Sequence, residues 1–158
     1  MNSTAQRVAA LLATLDVQTK VIEFAESTRT AEDAAAAIGT QVAQIVKSLV
    51  FMAGNAPVLA LVSGTNRLDT ARLREWTGDP PRRASADEVR AATGFAIGGV
   101  PPIGHPQPLR TFIDRDLNQY DILYAAAGTP HAVFAITPAE LARVTGGHVI
   151  DLAARPLD

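Results

Sequence analysis

The chain has 158 residues, 47% of them apolar and 19% charged, with a formal net charge of −2. That composition supports a globular core and excludes a disordered chain, and the weak charge excludes a strongly basic nucleic-acid binder, so any RNA contact must be local. Cysteine is absent, which removes a disulfide framework, a thiolate zinc site and a cysteine nucleophile together.

The length suits one domain over residues 1–158. Ser3 or Thr4 can cap a first helix running to about Leu15, because Val8, Leu11, Leu12 and Leu15 recur at helical spacing. The apolar run 8–15 is too short to span a bilayer. Only Arg7 precedes it as a basic residue, so it reads as an amphipathic helix rather than a leader, and a cytoplasmic location is expected. Residues 19–24 alternate as a short strand. Thr30 caps a second helix that Gly39 ends, and 42–46 add a helical turn. Residues 47–52 and 58–63 form a hairpin across Gly54-Asn55.

Asp69 caps a helix through Trp76, Pro80-Pro81 breaks the chain, and 82–84 give a short strand. Ser85 caps a helix over 86–93. A Gly/Pro-rich loop, 98–108, is followed by strands at 109–113, 122–126 and 132–136. Thr137 then caps a helix with Pro138 at its first position and Gly146-Gly147 at its end, and 148–152 form a last strand. Hairpins outnumber βαβ units. The expected fold is therefore α+β, with a mixed, partly closed, barrel-like sheet flanked by helices.

Strand alternation puts Lys47 on one face with Leu49 and Phe51. A lysine so placed either snorkels from a strand end or holds a carbonyl or phosphate oxygen. Only Lys20 and Lys47 are lysines in a chain otherwise basic through arginine. In Gly98-Gly99-Val100-Pro101-Pro102-Ile103-Gly104-His105, glycines admit close backbone approach and prolines stiffen the loop. The N–H groups of Gly98, Gly99 and Gly104 are candidates for an oxyanion site, and a plain connector is the alternative.

Ala125-Ala126-Ala127-Gly128-Thr129-Pro130-His131 joins two strands by a tight turn, with small residues that leave room for a small ligand. Asp114, Asp116 and Asp121 suit turn and cap roles or acid–base work. His105, His131 and His148 show no metal-binding spacing, and Ser48, Ser63 and Ser85 lack the context of a serine nucleophile. Arg67, Arg72, Arg74, Arg82, Arg83 and Arg90 form either a local basic face or ordinary solvated arginines.

Taken in order, these stretches resemble the YbaK-type deacylases, which include the editing domain inserted in bacterial prolyl-tRNA synthetases and its free-standing relatives. The resemblance is carried by Gln44-Ile45-Val46-Lys47-Ser48-Leu49-Val50-Phe51, Ser63-Gly64-Thr65-Asn66-Arg67-Leu68-Asp69, the segment from Thr93 to His105, and the segment from Tyr124 to Phe134. It covers about residues 20–152.

The resemblance implies hydrolysis of the ester between a mischarged amino acid and the terminal ribose of tRNA, without cofactor or metal. It implies Lys47, Gly98 and Gly99 as catalytic residues, and Thr30, Ser48, Pro101, Gly104, His105, Gly128 and His131 as substrate-binding residues. The loop ending Ile103-Gly104-His105 is more similar to the uncharacterised or small-amino-acid branches than to the relatives that act on cysteinyl-tRNA. The implied partners are the acceptor end of aminoacyl-tRNA and, as a candidate, a prolyl-tRNA synthetase, with the chain a monomer or weak homodimer. The rival readings are a non-catalytic aminoacyl-nucleotide, tRNA or protein-binding module of the same fold, and a hydrolase of another small acyl ester.

Overall fold

The computed structural model describes residues 1–155. Helix α1 (Ser3–Thr14) is capped by Asn2, whose side-chain oxygen accepts from the Thr4 N–H at 2.7 Å. The cap falls one residue before Ser3 because Asn serves the exposed N–H groups of a helix start at least as well as Ser or Thr. Strand β1 (Val21–Glu23) leads to α2 (Ala31–Ile38). Thr30 caps that helix by accepting from the Asp33 N–H, and left-handed Gly39 ends it.

A 3-10 turn (Val42–Gln44) takes the place of the expected helical turn and delivers the chain into β2 (Val46–Ala53) and the returning β3 (Ala56–Ser63). The order continues α3 (Thr70–Thr77), β4 (Pro81–Arg83), α4 (Ala86–Thr93), β5 (Arg110–Asp114), a second 3-10 turn (Arg115–Gln119), β6 (Leu123–Ala126), β7 (Ala132–Ile136), α5 (Pro138–Thr145) and β8 (His148–Ile150). Asp69, Ser85 and Thr137 cap α3, α4 and α5, and the last two close full capping boxes with Glu88 and Glu140.

The strands form two sheets. One has the order β1-β7-β6 and is antiparallel; the other has the order β4-β2-β3-β5-β8, with β5 parallel to both β3 and β8. Among the described residues, the sheets meet at a single parallel bridge between Ile45 and Tyr124, which makes the closure partial. Strand β2 therefore shares one edge between two partners. Its start lies beside β6 through Ile45, and Phe51–Ala53 pair with β4. Between them the two neighbours diverge, and the edge from Val46 to Val50 opens.

Alternation along β2 and β3 divides the core. Val46, Val50, Leu59 and Leu61 face the main cluster with Val8 and Leu12 of α1 and Phe134 of β7. Phe51, Val58, Ala60 and Val62 face a second cluster with Leu73 of α3 and Phe112 of β5. This is the period-two pattern of a strand buried on both sides. Among the described residues, no helix is long and apolar enough to cross a membrane.

Candidate functional site

The gap at the open edge of β2 is a cavity of about 340 Å³. Its walls come from 46–50 of β2, Tyr124 to Ala126 of β6, the start of α2, and Gly98 and Val100 of the glycine loop. Exposed Arg29, Glu32, Arg83 and Ile97 also line it.

Lys47 lies on the face of β2 that carries Leu49 and Phe51, and its ammonium donates to the Asn66 carbonyl oxygen. Burial pushes its pKa below the ordinary lysine value, while Glu32 and Asp114 push the other way and Arg83 and Arg67 act with burial. Losing water makes the charged form costlier. It also makes any anion the ammonium meets there bind more strongly than in bulk solvent.

Ser48 lies on the opposite face, toward Val46 and Val50. Its hydroxyl oxygen is shielded from solvent and has no hydrogen-bond partner among the described residues. A buried polar atom left without a partner beside a cavity suits a ligand contact. The Val50 carbonyl accepts from the Ala84 N–H at 3.0 Å, so Val50 directs its peptide groups to the β4 edge. The two-residue period then turns the Ser48 N–H and C=O to the same edge, where β4 no longer runs. Lys47 thus supplies a cation and Ser48 a backbone donor around one opening.

Of the catalytic and substrate-binding residues that the resemblance implies, Thr30, Lys47, Ser48 and Gly98 line this cavity. Gly99 packs elsewhere: a Cβ on it would lie 2.9 Å from the Thr129 backbone, and its N–H already donates to the Ala96 carbonyl at 3.0 Å. The expectation of a free Gly99 donor therefore does not hold in this geometry. Gly98 has φ +90°, and a Cβ there would meet the Arg29 side chain at 2.5 Å, so the loop is pinned between Arg29 and Thr129.

The far end of the loop turns away. Gly104 and His105 line a separate cavity of about 300 Å³ with Leu11, Leu15 and Val144. His105 Nε2 lies 2.9 Å from the Pro101 carbonyl oxygen, and burial lowers its pKa against that hydrogen bond. Pro101 is buried. Gly128 (φ +98°) packs on Thr4, Val8 and Phe95. His131 is exposed, with Nδ1 3.0 Å from the Glu26 carbonyl oxygen, and lines neither cavity.

The sequence reading gave no role to Glu32, Arg29 or Tyr124, all of which line the cavity. The first two flank the Thr30 cap, and that flanking position was the only available signal. Of the arginines that could form a basic face, Arg72 pairs with Asp69 and Asp151, and Arg82 with Glu88. Arg83 instead lies over the Phe51 ring at 5.6 Å, at the cavity wall. Among the described residues, no three His, Asp or Glu side chains converge in a way that could hold a metal ion.

Residues 25–144 match the aminoacyl-tRNA editing domain. The chain belongs to that family. A solved structure named as a candidate trans-editing enzyme for prolyl-tRNA synthetase superposes on this editing domain with a TM-score of 0.93 and 49% identity, covering 98% of this chain and 99% of the other. A candidate Cys-tRNA(Pro)/Cys-tRNA(Cys) deacylase of Enterococcus faecalis is 28% identical over 80% of this chain and 84% of its own length. The proline–tRNA ligase of Streptococcus sanguinis is 29% identical over 78% of this chain but only 20% of the ligase, so the similarity there is to a segment of a larger enzyme.

Proposed function

We propose that the chain is a trans-acting deacylase that hydrolyses the ester bond of mischarged aminoacyl-tRNA bearing a small amino acid, on tRNA-Pro or a similar tRNA. The observation that carries this reading is the half-buried Lys47 ammonium at the open edge of β2, inside the cavity of an aminoacyl-tRNA editing domain.

In the reaction, water adds to the ester carbonyl carbon and the carbonyl oxygen becomes an oxyanion. The tetrahedral centre then collapses, and the C–O bond to the terminal ribose breaks. The ribose oxygen leaves with a proton, and the amino acid leaves as its carboxylate. Lys47 and the Ser48 N–H are placed to bind the developing negative charge, with Gly98 as the loop's contribution. Donors fixed before the reaction stabilise such charge without reorganising. No step requires a protein nucleophile. Accordingly, serine-directed acylating reagents and metal chelators are expected to leave the rate unchanged, and chelator inhibition reversed by zinc would contradict this.

Substrate size follows from the wall. Ala31, Ala34, Ala125 and Ala126 leave space for a short side chain. Discrimination among Ala, Ser, Thr and Cys is limited, because one methylene is worth about 1–3 kcal/mol. Ala126→Val adds bulk on a β position that tolerates branching. It should depress hydrolysis of Thr-tRNA by roughly tenfold or more while leaving Ala-tRNA within a few-fold. Equal effects on all four charged tRNAs would remove Ala126 from the size gate. Gly99→Val is the poorer probe, since its side chain would displace the Thr129 backbone rather than fill the cavity.

A further inference from the structure

Among the described residues, one carboxylate is fully buried and is not used by the proposed chemistry. Asp114, at the end of β5, is 0% exposed. Its Oδ2 accepts from the Ser63 N–H at 3.1 Å and from Asn66 Nδ2 at 2.8 Å, and its Oδ1 accepts from the Asp116 N–H at 2.9 Å. Asn66 Nδ2 also donates to Asp116 Oδ2 at 2.8 Å, and Asp116 is in turn held by Arg155 at 2.8 Å. The Asn66 N–H closes a tight turn onto the Ser63 carbonyl at 2.9 Å. Every anchor of this turn fixes one outward group, the Asn66 carbonyl, which receives the Lys47 ammonium.

We propose that Asp114 and Asn66 are positioning residues for Lys47: the buried carboxylate locks the Asn66 side chain, and Asn66 holds the lysine ammonium at the cavity with its backbone carbonyl. A buried carboxylate carries a desolvation cost that three N–H donors offset but an uncharged residue would avoid. A negative charge at this position also favours the protonated form of the lysine in front of it. The remaining charged groups acting on Lys47 are Glu32 from α2, Arg83 from β4 and Arg67 beyond β3. Only Asp114 combines that charge with a hydrogen-bonded path to the lysine's own acceptor. The kinetic arm of the inference rests on the deacylase reading; the titration arm does not.

The test uses the full chain labelled with 13C at lysine Cε. With only Lys20 and Lys47 present, the spectrum holds two signals, and Lys20 serves as an internal reference. In folded Asp114→Asn, removing the negative charge disfavours the ammonium, so the Lys47 titration should move to lower pH while that of Lys20 stays in place. The alkaline limb of the deacylation pH profile should move down with it.

Asn66→Ala changes a half-buried turn residue and keeps the assay available if Asp114→Asn does not fold. It should lower kcat by roughly tenfold or more with little change in KM, because the cation is held less closely. An unmoved Lys47 titration in folded Asp114→Asn, or wild-type kcat in folded Asn66→Ala, overturns the inference. A shifted titration in a chain that deacylates nothing supports the positioning network and removes the functional reading instead.

Discussion

Lys47→Ala should lose deacylation by roughly 100-fold to 1,000-fold in single-turnover rate, the range seen when one preorganised oxyanion donor is removed. The fold should survive. Lys47 is only half-buried, its single hydrogen bond is to the Asn66 carbonyl, and Val62 across the strand packs without it. Circular dichroism should be unchanged, and the stability change should stay within about 1 kcal/mol. Lys47→Arg should not restore the rate, since a planar guanidinium cannot replace a point charge seated against one carbonyl.

In the proposed mechanism, the protonated lysine is the active form. Activity should therefore be lost as pH rises through the Lys47 pKa, and burial places that limb below the ordinary lysine value of 10.5. Rates must be corrected for the uncatalysed hydrolysis of the ester at alkaline pH. A folded Lys47→Ala chain with wild-type activity would leave the mechanism without support.

Gly64→Ala should be the most damaging single-methyl addition near the site. A Cβ on Gly64 would lie 2.1 Å from the Val42 carbonyl oxygen and 3.1 Å from Ala31 Cβ. The first obstacle is backbone that cannot rotate away. Val42 begins the 3-10 turn that feeds Ile45 and Lys47 into β2, so relieving the clash must move the turn that aligns the lysine. Overpacking of this kind costs about 3 kcal/mol, which for a chain of this size is a fall in melting temperature of roughly 6–12 °C.

Gly39→Asn provides the control. Gly39 is left-handed at φ +83°, with nothing within 4 Å of its Cβ position, and Asn tolerates that conformation with a cost under about 1 kcal/mol. Thermal and urea unfolding of the pair would separate steric contact from glycine content. Equal losses in both would show that close packing at Gly64 is not what holds the turn.

The helices and the β2–β3 hairpin were readable because their signals are local. Thr30, Asp69, Ser85 and Thr137 each precede an apolar helical pattern, and each side chain caps the helix it announces. Strand ends moved by at most two residues, as at β1 and β8, which is the usual uncertainty of a boundary. The turn Arg115–Gln119 was not expected, because its cap is Asp114 reaching from the end of a strand.

The site was only partly legible, for a different reason. The cavity exists because β4 and β6 diverge from a shared edge of β2, and strand pairing is not written in any one segment. Nor does an irregular loop have a period. Gly98 and Gly104 look equivalent in the sequence, yet one reaches the lysine cavity and the other packs by Leu11. The role inferred for Asn66 and Asp114 needs a contact across 48 residues, which no spacing rule anticipates.

The most direct test offers the wild-type chain, in excess, alanyl-tRNA-Pro and prolyl-tRNA-Pro in separate single-turnover reactions and follows the released amino acid. The account predicts rapid, lysine-dependent release of alanine and sparing of the prolyl ester; release of proline as fast as alanine, or no release of alanine, serine, threonine or cysteine from any charged tRNA, would contradict it.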